Sequence, residues 1–411
     1  MSYFVSMGIT VPGQLTIEKL LQADVQHFIK SHLLDDPHQL LLKYDQVGGV
    51  AIRDVVAQMV GWRKAQVKLP TYSQTDGIVY PPSINLEQSS SEATALFKSR
   101  LFTGKRAADL TGGFGIDSFF LAKQFQQVDY VEPSLELLQV ARHNHKTLGA
   151  ENIRHQQATA EEFLSRTHEI FDLVYLDPSR RVGGKKVVQL QDYAPNVIAL
   201  QPHIFNISDN ALIKVSPLLD IQAALRALQS VKRVFVVSVE NDCKELIFHC
   251  AASHAGEAEI EALDLSTDGK AKQKNFRFTF SEERATEVRL AAPERFLYEP
   301  NASILKAGAF KSVAAQHNLK KIARHTHFYT ADFLAEDFPG RTFEITAQIK
   351  PDPKEIKRWI PALKANVVTR NYPLHAVALR NKLRLQDGGD DYVIACSGER
   401  NKFVLVARRI K

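Results

Sequence analysis

From Lys105 to about Val239 the chain repeats one rhythm, a short apolar strand-like run followed by a helical run. "RAADLT", "VDYVE", "NIRHQQ", "FDLVYLD", "ALIKVS" and "RVFVVSV" are the strand candidates. "SLELLQVARHNHKTLG" and "LDIQAALRALQS" are helix candidates between them. This alternation predicts a parallel sheet with helices on both faces. Further on, "EIEALDL" and "NFRFTF" have no helical pattern between them and predict an antiparallel edge hairpin.

A chain of 411 residues is too long for one core, so the flanks should hold further domains. Up to about residue 85 the pattern is helical: "LTIEKLLQADVQHFIKSHL" and "IRDVVAQMVGWRKAQ" space apolar residues by three and four. "KLPTYSQTDGIVYPPS" predicts a loop, and Ser89 with Glu92 predicts a capping-box start to the helix that follows. After a small section around "FLYEPNASILKAGAF", the chain ends in an α/β module containing "RTFEITAQI", "PKEIKRWIPAL", "YVIACSG" and "KFVLVARR". No leader pattern opens the chain, and no apolar run approaches the ~20 residues of a membrane span. Cys243, Cys250 and Cys396 form no CxxC pair, which predicts reduced thiols, no zinc site and a cytoplasmic protein. His143 and His145, two apart on a predicted helix, do not share a face and predict no metal site. His325 and His327 repeat that spacing in a predicted loop.

Charge is unevenly spread. The net is +6, but residues 319–411 hold 18 Lys+Arg against 10 Asp+Glu, a local net of +8. A basic terminal module on a near-neutral body is a common footprint for a polyanionic partner. Arg370, Arg380, Lys382 and Arg384 in "VVTRNYPLHAVALRNKLRL" are the candidate RNA contacts. Arg380 and Arg384 are four apart, so either a helix or a strand would put them on one face.

Between the first strand and its helix lies "DLTGGFGID", Asp109 to Asp117. Glycines permit a tight turn and close backbone approach, and a helix N-terminus follows. A P-loop needs a Lys-Ser/Thr pair that is absent, and Gly112, Gly113 and Gly115 do not fit GxGxxG. Asp109 at the strand end would repel a pyrophosphate. The arrangement suits a ligand with a cationic amino-acid end and no phosphate, such as S-adenosylmethionine. Asp109 and the loop would face its aminocarboxypropyl arm, and Glu132, 23 residues on, would take the ribose hydroxyls.

Asp109-x-Thr111-x-Gly113-x-Gly115 resembles motif I of class I S-adenosylmethionine-dependent methyltransferases, with Thr111 in place of the usual first glycine. "DLVYLDPSRR" resembles their motif IV, with Asp177, Pro178, Ser179 and Arg180 in its four positions. With "LEQSSSEATALFK" and "YEPNASILKAGAF", these motifs resemble the bacterial methyltransferases that carry a C-terminal THUMP-like domain. The resemblance implies a helical N-terminal region (1–95), a Rossmann-like methyltransferase domain (96–285), a small ferredoxin-like segment (286–323) and a basic THUMP-like domain (324–411). It implies that Asp109, Thr111, Gly112, Gly113, Gly115 and Glu132 hold the cofactor and that Asp177, Pro178, Ser179 and Arg180 line the acceptor pocket. THUMP domains elsewhere bind RNA, so tRNA or rRNA is the expected partner.

Two positions depart from that pattern. Thr159 stands where related enzymes often have an acid for the adenine, leaving Glu161 or backbone to serve. Arg180 stands where base N-methyltransferases often have a stacking aromatic; a guanidinium plane can stack on a base and also meet phosphate. "DPSR" is also similar to the "DPPR" of uridine C5-methyltransferases, whose cysteine follows the fifth strand. Here "KVSPLLD" has Ser216 and Pro217 but no thiol, and Cys243 reads as a buried structural thiol. The expectation is therefore methylation at a base nitrogen. A non-catalytic RNA-binding factor on the same fold, and a methyltransferase for a small molecule or protein, are the alternatives.

Overall fold

The computed structural model describes residues 14–182, 185–272 and 275–410. The opening stretch, read above as free of a leader, lies outside them. The chain forms two units: residues up to 234 with 245–257 and 265–270, and residues 235–244 and 258–264 with 271 onward. No helix among the described residues is long and apolar enough to cross a membrane.

The first unit begins with helices Gln14–Leu20, Ala23–Ser31, Pro37–Lys43 and α1 (Ile52–Lys68). Ile52, Val55, Val56 and Met59 make the apolar stripe of α1, which packs into one core with Tyr72, Phe114, Phe119 and Phe120. The stretch expected to be a loop after α1 contains a helical turn, Pro70–Ser73, because proline fits the first turn of a helix. Beyond it the backbone is pinned by amides: Gln58 bonds both backbone groups of Tyr80, and Asn144 both of Val79. Helix α2 (Glu92–Ser99) is capped by Ser91, not Ser89. Glu92 instead accepts from Thr71 N–H (2.8 Å) and its hydroxyl (2.6 Å), tying α2 to the helical turn.

The alternating region folds as strands β1 (Gly104–Asp109), β2 (Phe125–Val131), β3 (Ile153–Gln156), β4 (Leu173–Leu176) and β5 (Asn210–Val215). Helices α3 (Ile116–Leu121), α4 (Leu135–Thr147), α5 (Ala160–Arg166) and α6 (Val197–Phe205) lie between them. The strands are parallel in the order β3-β2-β1-β4-β5. All four residues of β4 are buried, as expected of a strand covered on both faces. After α7 (Ile221–Ala227) come β6 (Val231–Val239) and β7 (Asp242–Ala251). Strand β7 corrects the expectation of a wholly parallel run, for it pairs antiparallel with β5, Leu246 opposite Val215. It also corrects Cys243, which sits half-buried at its start rather than in the core.

In the second unit β8 (Glu259–Leu265) and β9 (Phe276–Phe278) pair antiparallel, Ile260 opposite Phe278. Next come β10 (Phe296–Pro300), α8 (Ala302–Ala307), β11 (Lys320–Ala323), β12 (Thr326–Ala331), β13 (Gly340–Gln348), α9 (Pro353–Trp359), β14 (Asn366–Arg370), α10 (Ala376–Leu383), β15 (Asp391–Ser397) and β16 (Lys402–Arg409). They form a seven-stranded sheet in the order β11-β12-β10-β13-β16-β15-β14. Only β14 and β15 run parallel, joined by the crossover helix α10. His327, expected in a loop, lies in β12 with its ring stacked on Phe310 at 3.8 Å.

Candidate functional site

Each glycine between β1 and α3 has its own reason. A Cβ on Gly112 would lie 2.3 Å from the Tyr130 ring, and one on Gly115 would lie 2.5 Å from His145 Nε2. Gly113 has open space but a φ of +54°, the left-handed region that favours glycine. Polar bonds hold the turn they make. Tyr130 hydroxyl donates to Gly113 C=O (2.6 Å), and Gly113 N–H donates to Glu132 Oε2 (2.9 Å). Glu132 Oε1 accepts from Ser134 N–H (2.9 Å), and burial raises this carboxyl above the usual range.

Asp109 lies beneath this loop rather than on an open face. It is 1% exposed, accepts from Ser118 hydroxyl (2.6 Å) and Thr111 N–H (3.1 Å), and burial pushes its carboxyl up to about 7. His145, which the sequence reading set aside, also supports the turn: its Nε2 lies 2.9 Å from Gly115 C=O, so that nitrogen carries the proton and donates. Its Nδ1 lies 2.9 Å from His155 Nε2. Burial pushes His145 down to about 4 and His155 to about 3. His145 shares the inward face of α4 with Leu138 and Ala141, a helical spacing that could have flagged it.

The second loop follows β4. Asp177 N–H donates to Thr111 Oγ1 at 2.6 Å, so the two sequence motifs meet through one hydrogen bond. Pro178 is buried and Ser179 exposed. Ser179 exchanges backbone bonds with Ala194 (2.7 and 3.0 Å), and half-buried Arg180 accepts from Val187 N–H (2.8 Å). The Asp177 carboxylate is ion-paired to Lys214 of β5.

Behind this loop lies a charge cluster that the sequence reading missed. Lys98 of α2, 2% exposed, contacts Asp117 of α3 (2.9 Å), Glu245 of β7 (3.3 Å) and Ser90 hydroxyl (2.7 Å). Asp117 also accepts from Ser90 hydroxyl (2.7 Å) and Tyr175 hydroxyl (3.1 Å). Burial would raise Asp117, but the ammoniums of Lys98 and Lys214 outweigh it and hold the carboxyl below its ordinary value. Burial raises Glu245. Burial also works against charge on Lys214, yet Asp177, Glu245 and Asp117 hold its ammonium above the usual lysine value. The available signal was charge set into apolar strands, Lys214 alone in "ALIKVS" and Glu245 beside Lys244 in "KELIFHCA".

Comparison with known proteins places this geometry. Residues 296–339 match a ferredoxin-like domain family and residues 340–409 a THUMP domain-like family. A candidate methyltransferase from Porphyromonas gingivalis W83, known from its crystal structure, is 28% identical; the match covers 98% of this chain and 100% of that one, with a TM-score of 0.84. Uncharacterized S-adenosylmethionine-dependent methyltransferases of Mycobacterium tuberculosis strains CDC 1551 and H37Rv are each 21% identical over 304 residues, 73% of this chain and 80% of theirs. The chain is similar over most of its length to S-adenosylmethionine-dependent methyltransferases, and its C-terminal residues match a THUMP-like domain.

In this methyltransferase fold the two positions that depart from the usual motifs have visible partners. Thr159 hydroxyl accepts from Glu162 N–H and caps α5, while Glu161 lies exposed on the first turn of that helix. Arg180 stays in the acceptor loop with its backbone tied to Val187. Among the described residues, no group of three or more His, Cys, Asp or Glu is placed to hold a metal ion.

The terminal cations are less uniform than their sequence suggests. Arg370 reaches Glu299 of β10 (2.6 Å), and Arg380 reaches Asp387 (3.0 Å). Helix α10 stops at Leu383, and Arg384 caps it in the left-handed conformation, φ +57°. Arg380 and Arg384 therefore do not share a helix face, contrary to the expectation from their spacing. Lys382 and Arg384 are exposed.

Proposed function

We propose that the chain transfers a methyl group from S-adenosylmethionine to a base nitrogen in structured RNA, tRNA or rRNA. The observation that carries this reading is the 2.6 Å bond from Asp177 N–H to Thr111 Oγ1, which sets the acceptor loop directly beside the glycine loop. Ligands of open α/β sheets gather at this carboxyl edge.

The residues of the glycine loop fit the cofactor. Glu132 spends one lone pair of each oxygen on backbone N–H groups and keeps the others for two ribose hydroxyls. Gly112, Gly113 and Gly115 let the backbone lie close to a ligand, while Thr111 links to the acceptor loop. Asp109, buried beneath, shapes the loop and acts on the ligand only through it. When bound there, the cofactor would supply an activated methyl group on its sulfonium, the N–C bond forming as the S–C bond breaks with its electrons left on sulfur and the amine's surplus proton leaving to water. On the acceptor side Asp177 carboxylate and the backbone held by Pro178 accept from an exocyclic amine and aim its lone pair. Ser179 keeps the loop paired to Ala194, and Arg180 stacks on the base or meets its phosphate. Orientation and exclusion of water supply much of the rate, since the donor is already activated.

RNA is favoured over smaller acceptors by the match of residues 340–409 to a THUMP-like family and by the net +8 of residues 319–411. Lys382 and Arg384 are the better phosphate contacts of the four candidates, since Arg370 and Arg380 already meet carboxylates. The test uses total RNA from cells lacking the gene and labelled methyl donor. Wild type should label that RNA. Asp177→Ala should bind S-adenosylhomocysteine within about threefold of wild type, as its loop is not the cofactor loop, and transfer no label. Label entering protein or small metabolites but not RNA would overturn the RNA reading.

A further inference from the structure

A lysine in the middle of a strand whose neighbours are buried needs a reason, because an unpaired buried ammonium is costly. Lys214 stands in β5 between Ile213 and Val215, both buried, with 12% of its own side chain exposed. Its ammonium pairs with Asp177 of the acceptor loop, and it feels Asp117 from α3 and Glu245 from β7. Lys98, from α2, is the other cation of the group, joined to the same Asp117 and Glu245.

The count decides what Lys214 does. Two ammoniums face three carboxylates, so the cluster already carries an excess negative charge. Glu245 Oε1 is buried with no hydrogen-bond partner, so the cluster has no donor to spare. Without Lys214, three carboxylates would share Lys98 alone. Lys98 touches Asp117 and Glu245, which are 12% and 3% exposed. Asp177, at 27%, is the carboxylate with room to turn away to water. That turn would remove the hydrogen-bond acceptor from the loop.

We propose that Lys214 is a positioning residue for methyl transfer: through its ion pair it holds the Asp177 carboxylate fixed in the acceptor loop. This rests on the reading of Asp177 to Arg180 as that loop. Lys214 touches no ligand itself and acts only through Asp177.

The test uses the full chain, the same RNA and three variants. Lys214→Met should keep S-adenosylhomocysteine affinity within about threefold and lower kcat on the order of 100-fold with little change in KM. Lys214→Arg, which keeps the charge, should recover activity to within about tenfold of wild type. In an Asp177→Asn background, Lys214→Met should cost little more, because the group it serves is gone. Wild-type turnover in Lys214→Met, or an undiminished loss in the Asp177→Asn background, would overturn the assignment. A second readout needs no RNA: in carbon-labelled protein the Asp177 carboxyl resonance should move in Lys214→Met and return toward its wild-type position in Lys214→Arg. An unmoved resonance would overturn the proposal even if Lys214→Met is inactive. If wild type labels no RNA but the resonance moves, the RNA reading falls while the pairing stands.

Discussion

The glycine loop and the acceptor loop leave neighbouring strands, β1 and β4, and meet through one hydrogen bond, yet different forces hold them. The glycine loop is held by shape. Tyr130 and His145 occupy the space that Cβ atoms would need, and its polar bonds run mostly to backbone groups. The acceptor loop rests on charge, with Lys214 and Lys98 set among Asp177, Asp117 and Glu245. Shape can be specified by residues close in sequence, whereas a buried charge needs partners from wherever the fold brings them.

The contrast is broken most strongly at Lys98. Lys98→Met leaves Asp117 and Glu245 without their shared cation, and urea unfolding should show a loss of about 3–5 kcal/mol, the scale for breaking a buried pair. Adding Glu245→Gln should recover part of it. A loss under about 1 kcal/mol, the range of a surface pair, would mean that charge does not hold this side.

Asp109 sharpens the comparison because the glycine loop buries it without a cation. Its folded value, about 7, lies above the unfolded one, so the native state binds the proton more tightly. The stability it contributes is present at low pH and is lost as pH rises from the unfolded value through about 7. Asp109→Asn, which mimics the protonated form, should therefore gain on wild type by about 2–3 kcal/mol between pH 5 and pH 8. Parallel curves for the two proteins would show that Asp109 stays charged in the fold.

The smallest effect is steric. Gly112→Ala places a methyl against the buried Tyr130 ring and should cost about 1–3 kcal/mol, the usual range for overpacking. Unlike the loss in Lys98→Met, it should not respond to neutralising Glu245. Recovery in Gly112→Ala with Glu245→Gln would erase the distinction between the two loops.

This difference also explains what could be read in advance. All five parallel strands, the glycine turn with Asp109 and Glu132 at its strand ends, and the edge pairing of β8 with β9 follow from local periodicity. The cap falls on Ser91 rather than Ser89 because any of three serines in a row can cap a helix, and Glu92, whose spacing singles out Ser89, accepts from Thr71 instead. Strand β7 was missed because "DCKELIFHCA" mixes charges into an apolar run, and Glu245 has its partners far off in sequence. Lys214 reads as an ordinary polar residue until the fold sets Asp177 beside it. Arg380 and Arg384 have helical spacing, but the left-handed cap at Arg384 separates them.

The antiparallel return of β7 also has a consequence for the order in which the chain is made. Ser90, Lys98 and Asp117 leave the ribosome early, Tyr175, Asp177 and Lys214 much later, and Glu245 last of all. Until β7 emerges and pairs with β5, its carboxylate cannot join Lys98. Domains tend to fold as units during synthesis, and contacts of long sequence separation form late. The support beneath the acceptor loop is thus completed only by one of the last strands to be laid into this sheet. A chain cut short before Asp242 would keep every residue of both sequence motifs and lack that support.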